Sequence, residues 1–169
     1  MLEIFTLGDE VLRQKADKVT VFDSALEMLI EAMFDTMIEA DGIGLAAPQI
    51  GASQRFFVVD TRRPGEKMAF INPVILETSQ ELVPHEEGCL SIPGLFCEVM
   101  RPESITVQAQ DVTGKPFTLK ASGLLARVIQ HEYDHLEGIL FIDRVDEETR
   151  EKLVRSYKKG QKTNQKRGR

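Results

Sequence analysis

Two of the three histidines in this 169-residue chain stand four positions apart, in Gln130-His131-Glu132-Tyr133-Asp134-His135. No other stretch restricts the fold as tightly. Four residues are a little over one helical turn, so on a helix His131 and His135 share a face and can grip one metal ion. Glu132 is then turned about 100° from His131, beside the ion rather than in line with its ligands. There it can act as general base toward water. The bland alternative is a surface helix with two solvated histidines, but the flanks argue for burial. Ser122 is a candidate N-cap, and Gly138 stands where a C-terminal glycine belongs. Leu124, Leu125, Val128, Ile129 and Leu136 recur at helical spacing and spread beyond one stripe. Histidines and acids on so apolar a helix are costly unless ligated or paired.

The remaining chain separates into helical and extended stretches without βαβ alternation. The clearest further helix spans about Ala25 to Ala40, opened by a Ser24–Glu27 capping box and closed by Asp41-Gly42. Its stripe of Leu26, Leu29, Ile30, Met33, Phe34, Met37 and Ile38 is core-facing, the methionines as filler. Residues 2–7 are an extended start, followed by a short helix around Glu10–Ala16. Gly42 to Gly51 is a small, apolar stretch that predicts a tight core loop with Gln49 as its one polar side chain able to enter a site. Strands are predicted at Arg55–Asp60, Met68–Ile71 and Val74–Thr78. A hairpin is predicted from Ser104–Gln110 and Pro116–Lys120, and a C-terminal amphipathic helix at Asp146–Tyr157. The expected fold is therefore α+β: antiparallel β-sheets packed around a central helix carrying the HEYDH motif, plus an N-terminal-half helix and a C-terminal helix.

Residues 1–157 are expected to form one catalytic domain, followed by a basic flexible tail at 158–169. Six basic residues and no acids fall in Lys158–Arg169, whereas all 27 acidic residues lie before it. No apolar run approaches the roughly 20 residues of a membrane span, and the first residues lack a signal-peptide pattern. A cytoplasmic protein is expected. The two cysteines, Cys89 and Cys97, do not make a disulfide framework.

A catalytic site of this kind keeps three protein ligands and one open position. Candidates for the third are His85, Cys89, Glu86, Glu87 and Asp134. Thiolate chemistry favours Cys89 over His85, and Gly88 permits an unusual backbone angle just before it. Asp134 is either a support for the ligands or part of a structural ion pair.

Taken together, Gly42-Ile43-Gly44-Leu45-Ala46-Ala47-Pro48-Gln49, Glu87-Gly88-Cys89-Leu90-Ser91 and Gln130–His135 resemble the peptide deformylase family in motif, order and spacing. The likeness extends over about residues 1–157. It implies that Cys89, His131 and His135 hold one divalent metal, natively Fe(II), with Zn(II), Ni(II) or Co(II) able to replace it. It implies that Glu132 is the catalytic acid/base, and that Gln49 and the Leu90 backbone N–H bind the developing oxyanion. The substrate would be the N-formyl-methionine of nascent peptides, released as formate and a free amino terminus. Ile43, Gly44, His85, Leu124, Arg127 and Val128 are the expected substrate-binding residues. Many members of that family carry an aliphatic residue at the position of Arg127. Its stem is expected to line the methionine pocket while its head reaches a peptide carbonyl. A monomer without DNA or membrane partners is expected, with the basic tail as a contact to the ribosome. The competing readings are a zincin-type metallopeptidase, whose third ligand usually lies downstream, and a non-enzymatic metal-stabilised module with His85 as fourth ligand.

Overall fold

In the computed structural model, which describes residues 1–167, the apolar run Phe56-Phe57-Val58-Val59 explains the layering. These residues form β2 (Phe56–Asp60). Phe56 and Val58 meet one core cluster, with Leu26, Ile30, Met33 and Met37 of helix α1 (Ser24–Glu39). Phe57 and Val59 meet another, with Leu125, Ala126, Val128 and Ile129 of helix α2 (Gly123–Leu136). Successive side chains on a strand point to opposite faces, so a strand covered on both sides reads as continuously apolar.

β2 belongs to a five-stranded antiparallel sheet of order β1-β2-β3-β6-β7, with β1 at Gly44–Ala46, β3 at Lys67–Thr78, β6 at Ser104–Gln110 and β7 at Pro116–Ser122. β4 (Leu82–Cys89) and β5 (Ile92–Pro102) pair only with each other. Eleven of the fourteen α2 residues are buried, because the helix has the large sheet on one side and the β4–β5 hairpin on the other. The expected α+β arrangement around the HEYDH helix is present.

Several boundaries differ from the sequence reading. Asp23, not Ser24, caps α1: its side chain accepts from Leu26 N at 3.0 Å. A carboxylate there also meets the positive end of the helix dipole. The two strands predicted around Asn72-Pro73 are one strand, β3, with a register shift between Ile71 and Val74. Asn72 takes φ 51° at that bulge and bonds both the N–H and the carbonyl of Val19. The apolar stretch read as a core loop is a three-residue strand, β1, followed by a single helical turn at Ala47–Ile50. The short helix predicted at Glu10–Ala16 is a single turn, Glu10–Arg13.

The C-terminal helix α3 spans Glu147–Arg167, ten residues past the predicted end at Tyr157. The segment expected as a flexible tail thus continues the helix as far as Arg167, since Lys, Gln and Arg are good helix formers and no proline interrupts them. Its last two residues, Gly168 and Arg169, lie outside the described residues. Leu153, Val154 and Tyr157 anchor the helix against Leu12, Ile92, Val99 and Phe141. Among the described residues no helix is long and apolar enough to cross a membrane.

Candidate metal centre

His131 and His135 are brought to one side of α2 by helical spacing, and Cys89 comes to meet them from the end of β4. One donor atom from each lies within 4.8 Å of the others. Cys89 Sγ is 3.4 Å from His135 Nε2. His85, Glu86, Glu87 and Asp134, the other candidate ligands, are not in this cluster. His85 instead borders the cleft beside it. Among the described residues no fourth ligand completes a closed site, and the third is upstream of the helix rather than downstream. Neither feature is what the binding-module or the zincin reading expects.

The surroundings favour a cation between these three side chains. Burial opposes a charge on His131, yet Glu132, Cys89 and Glu87 together raise its pKa well above the usual histidine value. Positive charge is welcome at that point, whether a proton or a metal ion carries it. Burial, with the His131 charge next, pushes the His135 pKa well below its usual value, so that ring is neutral and its lone pair is free to ligate. Glu132 stands next to the cluster, its Oε2 4.0 Å from His131 Nε2. Its Oε1 is buried without a protein partner. Burial, partly offset by the His131 charge, pushes the Glu132 carboxyl up to about 7. A group with that value is suited to move protons near neutral pH.

His131 is held by neighbours, most of which the sequence reading did not single out. Glu87 accepts from His131 Nδ1 at 2.8 Å, which leaves Nε2 toward the cluster. Burial works against ionisation of Glu87, but hydrogen bonds from His131 and Arg101 hold it well below the usual carboxylate range. Arg101 grips Glu87 through two bonds of 2.6 and 3.0 Å and reaches Asp134 at 2.9 Å. Asp134 also takes two bonds from Arg144. Asp134 is thus part of an ion-pair network that reaches His131 through Arg101 and Glu87. Nothing local in the sequence marks Arg101, since Glu87 lies 14 residues before it.

Gln49 is buried with its Oε1 fixed by the Ala46 N–H at 2.9 Å. Its Nε2 donates to Ser91 Oγ at 3.1 Å and lies 3.5 Å from Cys89 Sγ. Leu90 follows Cys89 in the hairpin turn. Gly44 allows β1 to press against α2: a Cβ there would lie 2.5 Å from Glu132 Oε2 and 2.8 Å from Val128 Cγ1. The centre opens into a cleft of about 580 Å³, lined by Ile43, Gly44, Gln49, His85, Leu90, Leu124, Arg127 and Val128 among others.

Arg127 lines that cleft as expected, but its head does not face it. The guanidinium donates to Glu87 Oε2 at 2.6 Å, Val99 O at 2.9 Å and Val83 O at 2.7 Å. It ties both strands of the hairpin to α2, and three of its five N–H donors are engaged there rather than free for a substrate carbonyl. The reason is Glu87, which would otherwise be buried against fewer positive groups. Arg127→Ile is therefore expected to lose about 3–5 kcal/mol of stability, the range for removing one partner of a buried ion pair. The check is the denaturant midpoint at constant m. A wild-type midpoint with only KM altered would restore the substrate-contact reading.

The polypeptide deformylase family model matches residues 1–151. Peptide deformylase from Picosynechococcus sp. is 51% identical over 150 residues, covering 87% of this chain and 80% of that one. Peptide deformylase from Chromobacterium violaceum is 47% identical over 165 residues, covering 97% of this chain and 98% of that one. The crystal structure of a peptide deformylase from Legionella pneumophila superposes with a TM-score of 0.91 at 43% identity, covering 97% of each chain. Agreement of this extent, in sequence and in backbone, places the chain in the polypeptide deformylase family.

Proposed function

We propose that Glu132, Gln49 and the backbone N–H of Leu90 carry out the deformylation for which the family is named, beside a metal held by Cys89, His131 and His135. The reaction removes the formyl group from the N-terminal formyl-methionine of new polypeptides. The observation that supports these roles best is the buried, unpartnered Glu132 oxygen next to a Cys/His/His donor cluster. A divalent cation in that cluster supplies Lewis acidity and acidifies water. Glu132 accepts the proton of the attacking water and returns it to the amine nitrogen as the C–N bond breaks. The products are formate and a free amino terminus. The Gln49 amide, aimed by Ala46 and Ser91, and the Leu90 N–H donate to the formyl oxygen as it gains charge.

The substrate backbone has a natural seat. β1 is an edge of the large sheet, β4 is paired on one side only, and residues of both line the cleft. An extended peptide can add to such an edge through main-chain hydrogen bonds. The methionine side chain enters between Leu124, Arg127 and Val128 on α2 and His85 on β4. Formyl-Met-Ala-Ser should release formate, and an internally quenched peptide without a formyl group should stay intact. Cleavage of the second peptide instead would sink the deformylase assignment.

One thiolate and two imidazoles suit Fe(II), the native metal in this reading, and accept Zn(II), Ni(II) or Co(II). The protein acts as a cytoplasmic monomer with no DNA or membrane partner. The exposed basic end of α3 contacts ribosomal RNA. Lys158, Lys159 and Lys162 are exposed there, beyond the anchoring Tyr157. If it binds phosphates, affinity must fall steeply with salt through counterion release. Deleting residues 158–169 should lower the log–log salt slope of ribosome co-sedimentation by up to about 4–5 units. Identical salt curves with and without the segment would assign it no ribosomal role.

A further inference from the structure

The face of the β4–β5 hairpin turned away from α2 carries an aromatic side chain that the chemistry above leaves unused. Phe96 is 61% exposed. Its ring lies over the backbone of Gly88, its cross-strand partner. A Cβ on Gly88 would lie 2.5 Å from Phe96 Cε1 and 2.6 Å from Cδ1, so a side chain there would displace the ring. Gly88 directly precedes the metal donor Cys89, and Gly88 and Phe96 both line the cleft. A large apolar ring left in water at the mouth of a binding cleft gains free energy when a ligand group covers it.

Strand geometry says which group that is, resting on the deformylase reading. Side chains of an extended peptide alternate between the two faces of the sheet it joins. On β4 the inner face carries Glu87, bonded to His131, and its alternate neighbour His85. The outer face carries Glu86 and Gly88, with Phe96 above Gly88. When methionine, residue 1, fills the inner pocket beside α2, the side chain of residue 2 must point outward.

We propose that Phe96 is a specificity-determining residue: its ring stacks on the side chain of substrate residue 2 and favours aromatic and large aliphatic groups there. The pairing works at the level of binding, since Phe96 is neither one of the donors nor an acid or base.

The test is a kcat/KM series on formyl-Met-Xaa-Ser with Xaa as Phe, Leu, Ala, Lys or Glu. It uses metal-loaded wild type, Phe96→Ala and Phe96→Leu, with metal content measured on each sample. The wild type should prefer Phe over Ala by roughly fivefold, the range of one aromatic pair, with the difference mainly in KM. Phe96→Ala should bring that ratio below about twofold, and Phe96→Leu should keep a preference for Leu while losing the excess for Phe. A Phe preference that survives Phe96→Ala, or none in the wild type, would overturn the proposal. So would a Lys preference insensitive to Phe96, which would hand the position to Glu86. Formate release from none of the peptides would overturn the deformylase reading, and this one with it. Normal release with flat ratios would remove this one alone.

Discussion

Glu132→Gln should abolish most deformylation while leaving the metal bound. Losing one general acid/base lowers kcat by at least about 100-fold. The metal remains because the donor cluster consists of Cys89, His131 and His135, with Glu132 outside it. The neutral amide keeps the size of the side chain, so Gly44 and Val128 still pack against it. A second readout separates proton transfer from simple damage. In metal-free protein the folded-state carboxyl is pushed up to about 7 from 4.5. Its contribution to stability is therefore complete below the unfolded value and lost as pH rises through about 7. Glu132→Gln should remove that fall, measured by denaturant unfolding at pH 5 and pH 8. A Gln variant that keeps most of its activity with full metal occupancy would refute the assignment.

Cys89→Ser should release the metal or weaken it severely, and activity should fall with it, whereas Cys97→Ser should change neither. The two thiols lie on neighbouring strands of one hairpin, so the contrast is informative. Cys89 Sγ lies within hydrogen-bond range of both His135 Nε2 and Gln49 Nε2. Cys97 lies across the strands from Glu87 and is not in the donor cluster. Burial, then the carboxylates of Glu87 and Glu86, push its thiol pKa up, which keeps it protonated and a poor ligand. Loss of a ligand or its supporting partner costs tenfold or more in metal affinity, and a thiolate contributes more than most. Equal metal loss in both variants, read by elemental analysis after dialysis, would contradict the ligand set.

How much of this was legible in the sequence depends on whether the signal was local. α2 and its two histidines were readable because helical period, flanking signals and histidine spacing all lie within seventeen residues, Ser122 to Gly138. That Cys89 joins the histidines was readable only as chemistry plus resemblance, since 42 residues separate it from His131. The β4–β5 hairpin was missed. Pro84, Gly88, Pro93 and Gly94 break its pattern, and Glu86, Glu87 and Arg101 supply charge where strand cores are usually apolar. Those charges are intelligible only in three dimensions: Glu87 pairs with Arg101, Arg127 and His131, partners 14 to 44 residues away. The same fact hid the partners of Arg127, which from sequence has a long stem near a pocket and no visible carboxylate to engage its head. The end of α3 was misplaced because the apolar stripe stops at Tyr157, while helix formation continues on propensity beyond it.

Formate release and metal content measured on the same samples test the central claim most directly. Protein stripped by chelation is titrated anaerobically with Fe(II), and separately with Zn(II), before assay on formyl-Met-Ala-Ser. Formate release should be negligible in stripped protein, rise in proportion to bound metal and stop rising at one ion per chain. Full activity in stripped protein, or a rise that continues past one ion, would contradict a single Cys89–His131–His135 centre serving Glu132.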